Sequence, residues 1–84
     1  MIKVNVKAKV KEIRFKGENS CVFVVEEDKK ELVCTITKRN IELADLVKEG
    51  QEVTIDGNIT AYRRVRADSE FIENVLYVNE LKEV

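Results

Sequence analysis

The run Tyr62-Arg63-Arg64-Val65-Arg66 is the densest concentration of chemically committed side chains in this chain. A guanidinium fork meets a phosphate with two parallel hydrogen bonds and stacks on flat rings. A tyrosine beside it offers a face on which a base can lie. Further cations stand at Arg14 and Lys16 and at Lys38 and Arg39, and a second tyrosine stands at Tyr77. Together these types suit a partner that is both anionic and planar. The competing reading is that Arg63, Arg64 and Arg66 pair with Asp68, Glu70 and Glu73, which contributes only about 0–1 kcal/mol per exposed pair.

Other chemistries have no residues to carry them. The chain has no histidine, so it lacks the commonest metal ligand and general base. Cys21 and Cys34 have twelve residues between them, form no CxxC pair and sit in apolar strand patterns, which makes them buried free thiols. Glu26-Glu27-Asp28 lacks the glycine-centred spacing of a calcium loop and reads as a solvated hairpin. No nucleophile–base pair, phosphate loop or metal-ligand cluster is present. Catalysis, a cofactor and a bound metal are therefore not expected.

The elements that must position the candidates are legible from periodicity. Val4, Val6, Ala8 and Val10 alternate with polar residues as a half-buried first strand. The apolar parity then slips, by three from Val10 to Ile13 and by two from Ile13 to Phe15, which predicts a β-bulge near Lys11-Glu12. Residues 16–20 read as a turn. The second strand is predicted over Cys21–Glu26, a polar hairpin over 27–30, and the third strand over Glu31–Thr37 with Leu32, Cys34 and Ile36 on one face. Asn40 is the expected cap of a short helix with Ile41, Leu43, Ala44 and either Leu46 or Val47 turned inward. Gly50 is its expected left-handed C-cap. The fourth strand carries Val53, Ile55, Ile59 and Ala61 in one phase, with Gly57 in that same phase, where a missing side chain lets the strand coil. Residues 63–70 read as a polar loop and Phe71–Leu81 as the fifth strand, with a bulge at Asn79-Glu80.

With 84 residues, 44% apolar and 37% charged, the chain fits one domain, residues 1–84, with one modest core. The net charge of −1 restricts any polyanion site to a local basic patch. The charged, alternating N-terminal sequence is not a signal peptide, and no stretch is suited to a membrane, so a reducing cytoplasmic setting is expected.

The order of five strands, with one short helix between strands 3 and 4, is that of the OB-fold, a mainly β, five-stranded Greek-key barrel. Residues 6–13, 21–28 and 49–62 carry a resemblance to the OB-fold nucleic-acid-binding family. They resemble most the N-terminal OB domain of the exodeoxyribonuclease VII large subunit and related single-stranded-DNA-binding domains. The sequence departs from that family at Ala8, where a glycine is usual nearby, and at Val22, where an outward aromatic is frequent. The resemblance implies a non-enzymatic domain that binds single-stranded nucleic acid, DNA more than RNA, across strands 2 and 3. The 15–20 and 63–70 loops would frame the site. Arg14, Lys16, Lys38, Arg39, Arg63, Arg64 and Arg66 are its candidate phosphate contacts, and Tyr62 and Tyr77 its candidate stacking residues, with Phe15 a weaker one. The alternative is a protein-interaction or self-association module that uses outward Val22, Val24, Val33 and Val75 as an exposed aliphatic patch.

Overall fold

The alternation that begins at Val4 carries through as one long strand, β1 (Ile2–Lys16). It is followed by β2 (Ser20–Glu27), β3 (Lys30–Thr37), a 3-10 helical segment (Lys38–Leu46), β4 (Glu52–Arg66) and β5 (Ser69–Glu83). The computed structural model describes residues 2–84; the side chains of Tyr62, Arg64, Arg66, Phe71, Ile72 and Glu73 lie outside the described residues. The strands close into a barrel in the order β1-β2-β3-β5-β4, with β4 returning to β1. All neighbours are antiparallel except β3 and β5, which meet in parallel at Cys34–Leu76 and Thr35–Tyr77. No helix among the described residues is long and apolar enough to cross a membrane.

One strand can serve both β4 and β2 because β1 bends. Val10 pairs with Val25 and Glu12 with Val24, which leaves Lys11 as the extra residue of the expected bulge. A second bulge follows at Arg14: Ile13 pairs with Phe23, but Phe15 pairs with Val22. The segment before β4 packs against this bend. Val10 N–H donates to the Gln51 carbonyl at 2.9 Å, Gly50 N–H to the Val10 carbonyl at 2.8 Å, and Ile13 N–H to the Glu49 carboxylate at 3.0 Å. The backbone N–H groups of Val10 and Ile13, on either side of the first bulge, are thus satisfied.

The inward phase of each strand builds the core: Ala8, Val10, Cys21, Phe23, Val25, Cys34, Ile36, Val53, Ile55, Leu76, Val78 and Leu81, joined by Ala44 and Val47 from the helical side. The bulge expected at Asn79-Glu80 is present, since Asp56 pairs with Glu80 and Gly57 with Val78, skipping Asn79. Gly57 sits where β4 and β5 press together. A Cβ there would lie 2.7 Å from Leu76 Cδ2 and closer still to the Tyr77 carbonyl oxygen. Both cysteines are free and buried. Burial pushes the Cys21 thiol up and the Cys34 thiol up to about 12, so neither is reactive at neutral pH.

Three expectations are corrected. Residues 63–70 are not a loop: β4 and β5 continue as a paired arm that turns only at Ala67-Asp68, with Arg63 opposite Ile72 and Arg66 opposite Ser69. Asn40 does not cap the helix. The segment begins after Thr37 and kinks at Asn40, whose side-chain amide donates to the Val78 carbonyl at 3.2 Å beside the β5 bulge. Gly50 is not the C-cap, because the helical segment ends at Leu46. With φ of 86°, Gly50 occupies the left-handed position of a turn closed by Gln51 N–H on the Lys48 carbonyl.

Candidate nucleic-acid interface

The outer face of a barrel is set by which residues line up across the strands. Here one register row can be followed most of the way round: Phe15 opposite Val22, Val22 opposite Thr35, Thr35 beside Tyr77, Tyr77 opposite Asn58 and Asn58 opposite Lys3. Each of these residues belongs to the outward phase of its strand. Tyr77 is 38% exposed and Phe15 56%. They flank Val22 and Thr35 at three ladder steps, about 14 Å along the surface.

Cations collect at one end of this row. Lys16 pairs with Cys21 and Ser20 with Thr37, so the end of β1, the start of β2 and the end of β3 come together. Lys38 and Arg39 follow directly as the chain leaves β3. Arg14, the extra residue of the second bulge, is exposed and pairs with Glu12 at 3.3 Å. The opposite end of the same face is acidic. Glu26 and Glu31 stand directly across β2 and β3, and the Lys11 ammonium, thrown outward by the first bulge, bridges them at 3.2 and 2.9 Å. Hydrogen bonding to Glu31 and then Glu26 raises the Lys11 pKa, holding it charged across the physiological range. The cations at the hairpin end, Lys11 among them, stand among Glu26, Glu27, Asp28 and Glu31, whereas Lys16, Lys38 and Arg39 at the other end have Glu18 as the one acid of the 15–20 turn.

Arg63 is held elsewhere. Because β3 and β5 run parallel, the β4–β5 arm leaves the barrel on the side of the β2–β3 hairpin, away from Lys16. Arg63 lies in the phase of β4 that contains Ile59 and Ala61, opposite to the phase that pairs with Tyr77, and its guanidinium contacts the Glu70 carboxylate. The partnership weighed from the sequence therefore forms for Arg63. The side chains of Tyr62, Arg64 and Arg66 lie outside the described residues. Lys16 is brought next to Phe15 and Val22, Lys38 and Arg39 follow Thr37 at the same end of the strands with Arg39 beside Asn79 and Glu80, and the arm leaves from the other end.

The aliphatic patch is smaller than expected. Val24 is 2% exposed although it belongs to the outward phase and stands apart from the inward core. Glu12 and Val33 flank it, and Lys11 stretches past it to Glu26 and Glu31. Long charged side chains cover apolar surface with their stems in this way. Val22, Val33 and Val75 are half-buried. A concavity of about 360 Å³ opens at the hairpin end, lined by Val6, Ala8, Val25 and Leu32 with Glu27, Asp28, Lys30 and Glu31, a setting that disfavours an anion. Among the described residues no group of His, Cys, Asp or Glu is arranged to hold a metal ion.

Phe15 is the residue whose facing the sequence spacing misreads. A step of two from Ile13 implies the inward phase, and the second bulge reverses it. The signal available in the sequence was the adjoining Lys16-Gly17, a cation and a glycine beside a lone aromatic.

No protein-family model matches this chain, and no curated protein does. Solved structures do. The chain is similar to the mitochondrial single-stranded DNA binding protein Rim1 from S. cerevisiae, with a TM-score of 0.80 and 15% identity over 99% of this chain and 92% of that one. It is similar to the small single-stranded DNA-binding protein from Streptomyces coelicolor, with a TM-score of 0.68 and 13% identity over 99% and 94%. It is also similar to part of the aspartyl tRNA synthetase from Entamoeba histolytica, with a TM-score of 0.75 and 11% identity over 96% of this chain but 18% of that one. With its closed five-stranded barrel, its helical segment between β3 and β4 and these likenesses across nearly its whole length, the chain is an OB-fold.

Proposed function

We propose that this chain is a non-enzymatic OB-fold domain that binds single-stranded nucleic acid, DNA in preference to RNA, with weak sequence specificity. The observation that carries the reading is the register row that sets Val22, Thr35 and Tyr77 on one outer face, with Lys16, Lys38 and Arg39 where β1 and β3 end beyond it. In this reading the cations track phosphates and the Tyr77 ring receives a base, a contact worth about 1–3 kcal/mol and tolerant of base identity. Arg14 extends the cationic track, and the arm bearing Tyr62, Arg63, Arg64 and Arg66 flanks the face at its other end. The two likenesses to single-stranded DNA binding proteins support DNA over RNA. The likeness to a synthetase segment shows why the barrel alone does not choose the ligand.

The near-complete burial of Val24 weighs against the alternative of an aliphatic docking patch for protein on β2 and β3. The test is fluorescence anisotropy of labelled oligo-dT and oligo-U of about 15–30 nucleotides, a length that spans one to a few OB site sizes. Micromolar or tighter binding with dT ahead of U is expected. U ahead of dT would move the ligand class to RNA, and no binding at low salt would end the reading.

A further inference from the structure

Two features of Phe15 go beyond an isolated exposed ring. The first is its orientation. Parity from Ile13 would turn Phe15 inward, and a whole bulge at Arg14 is inserted that pairs it with outward Val22 instead. Exposing a phenyl ring at 56% and breaking a ladder together work against stability unless the ring has an outside role. The second is its seat. A Cβ on Gly17 would lie 2.8 Å from Phe15 Cζ and 2.9 Å from Cε1, so the ring rests on the Gly17 backbone and a side chain there would push it aside. The turn beneath it is fixed by Gly17 N–H donating to the Ser20 carbonyl at 2.9 Å. The result is a flat apolar platform, backed on one side and open on the rest.

We propose that Phe15, seated on Gly17, is a base-stacking residue, and that with Tyr77 it holds bases of a single strand laid across β2 and β3. The inference rests on the function proposed above and gives the bound strand a path and a side. The bases lie on the row Phe15–Val22–Thr35–Tyr77, with Val22 and Thr35 forming the floor between the rings. The phosphates run along the Lys16, Lys38 and Arg39 side. They avoid the β2–β3 hairpin, where Lys11 is already held by Glu26 and Glu31. Lys16 follows Phe15 at the end of β1, opposite Cys21, and its long side chain supplies a charge at the rim of the row.

The chain contains no tryptophan, so Phe15→Trp introduces a single indole reporter at the site. Quenching of that indole by oligo-dT, with the same midpoint as the anisotropy of labelled oligo-dT, is expected. Phe15→Ala is expected to weaken oligo-dT binding by roughly 5- to 150-fold, the span that corresponds to one stacked base. Its slope of log affinity against log salt should stay at the wild-type value, because no phosphate contact is removed. An indole that is not quenched under conditions where the wild type binds would overturn the assignment of Phe15 while leaving the nucleic-acid reading in place. Wild-type affinity in Phe15→Ala would do the same. Absence of binding by the wild-type chain at low salt would remove both. Urea unfolding of Phe15→Ala checks that the loss is not one of folding, and the quenching of Phe15→Trp stands independently if that variant proves unstable.

Discussion

Replacing Gly57 by alanine tests how the barrel closes. The added methyl would stand 2.7 Å from Leu76 Cδ2, 3.2 Å from the Tyr77 carbonyl carbon and closer still to its oxygen. None of these can yield cheaply. Leu76 is fully buried in the core, and the Tyr77 carbonyl belongs to the backbone of β5 beside the bulged Asn79. Gly57 itself has no positive φ, so the effect is contact alone. Overpacking of a core costs about 1–3 kcal/mol. Relief by parting β4 from β5 adds a ladder hydrogen bond at about 1 kcal/mol. A loss of about 2–4 kcal/mol follows, which for a domain of this size lowers Tm by roughly 8–32 °C. Gly50→Ala is the control: its φ of 86° strains alanine, yet nothing lies within 4 Å, so about 1–2 kcal/mol is expected. Urea unfolding followed by circular dichroism, with unchanged m values, gives both numbers. A Gly57→Ala variant within about 0.5 kcal/mol of wild type, or less affected than Gly50→Ala, would refute close β4–β5 approach as the reason for the glycine.

Other consequences can be read at the bench. Asp28 and Lys29 form the β2–β3 turn with φ of 51° and 67°, so Lys29→Gly should stabilise the chain by about 1 kcal/mol in urea; an unchanged midpoint would mean the turn is not strained. Asn40→Ala removes the bond to the Val78 carbonyl and should lower stability by about 1–2 kcal/mol; no change would show that water replaces it. Cys34 has a folded pKa of about 12, above its unfolded value of 9.0, so its contribution is intact below pH 9 and declines as pH rises towards 12, at about 1.4 kcal/mol per pH unit. Cys34→Ala should therefore flatten the decline in unfolding free energy between pH 9 and 10.5, and an equally steep decline would place its origin elsewhere.

The parts of the fold that bury a face could be read from the sequence, and the parts that do not could not. Inward alternation in β1 to β5 exposed the barrel order, and the three-residue step from Val10 to Ile13 exposed the first bulge. The second bulge left no such trace, since Ile13 and Phe15 keep an ordinary spacing while the backbone reverses their faces. The β4–β5 arm was hidden for a related reason. Its described residues Arg63, Val65 and Glu70 are all exposed, so they carry no inward alternation and resemble a loop. Asn40 carried a helix-capping signature, but its amide serves the β5 bulge, a partner 38 residues away. The candidate site was half legible: Tyr77, Lys16, Lys38 and Arg39 were found by type, while their alignment with Val22, Thr35 and Phe15 depends on register across four strands.

The central claim is that single strands bind where cations and the Phe15–Tyr77 row meet. Its most direct test is the salt dependence of oligo-dT binding by the wild-type chain and by the double variant Lys16→Glu with Lys38→Glu. The wild type should show log affinity falling with log salt at a slope of about −2 to −3, as for three or four phosphate contacts on a single strand. The double variant should bind more weakly, with a slope shallower by about 1.4 for the two contacts removed. Wild-type affinity and slope in the double variant would contradict the account.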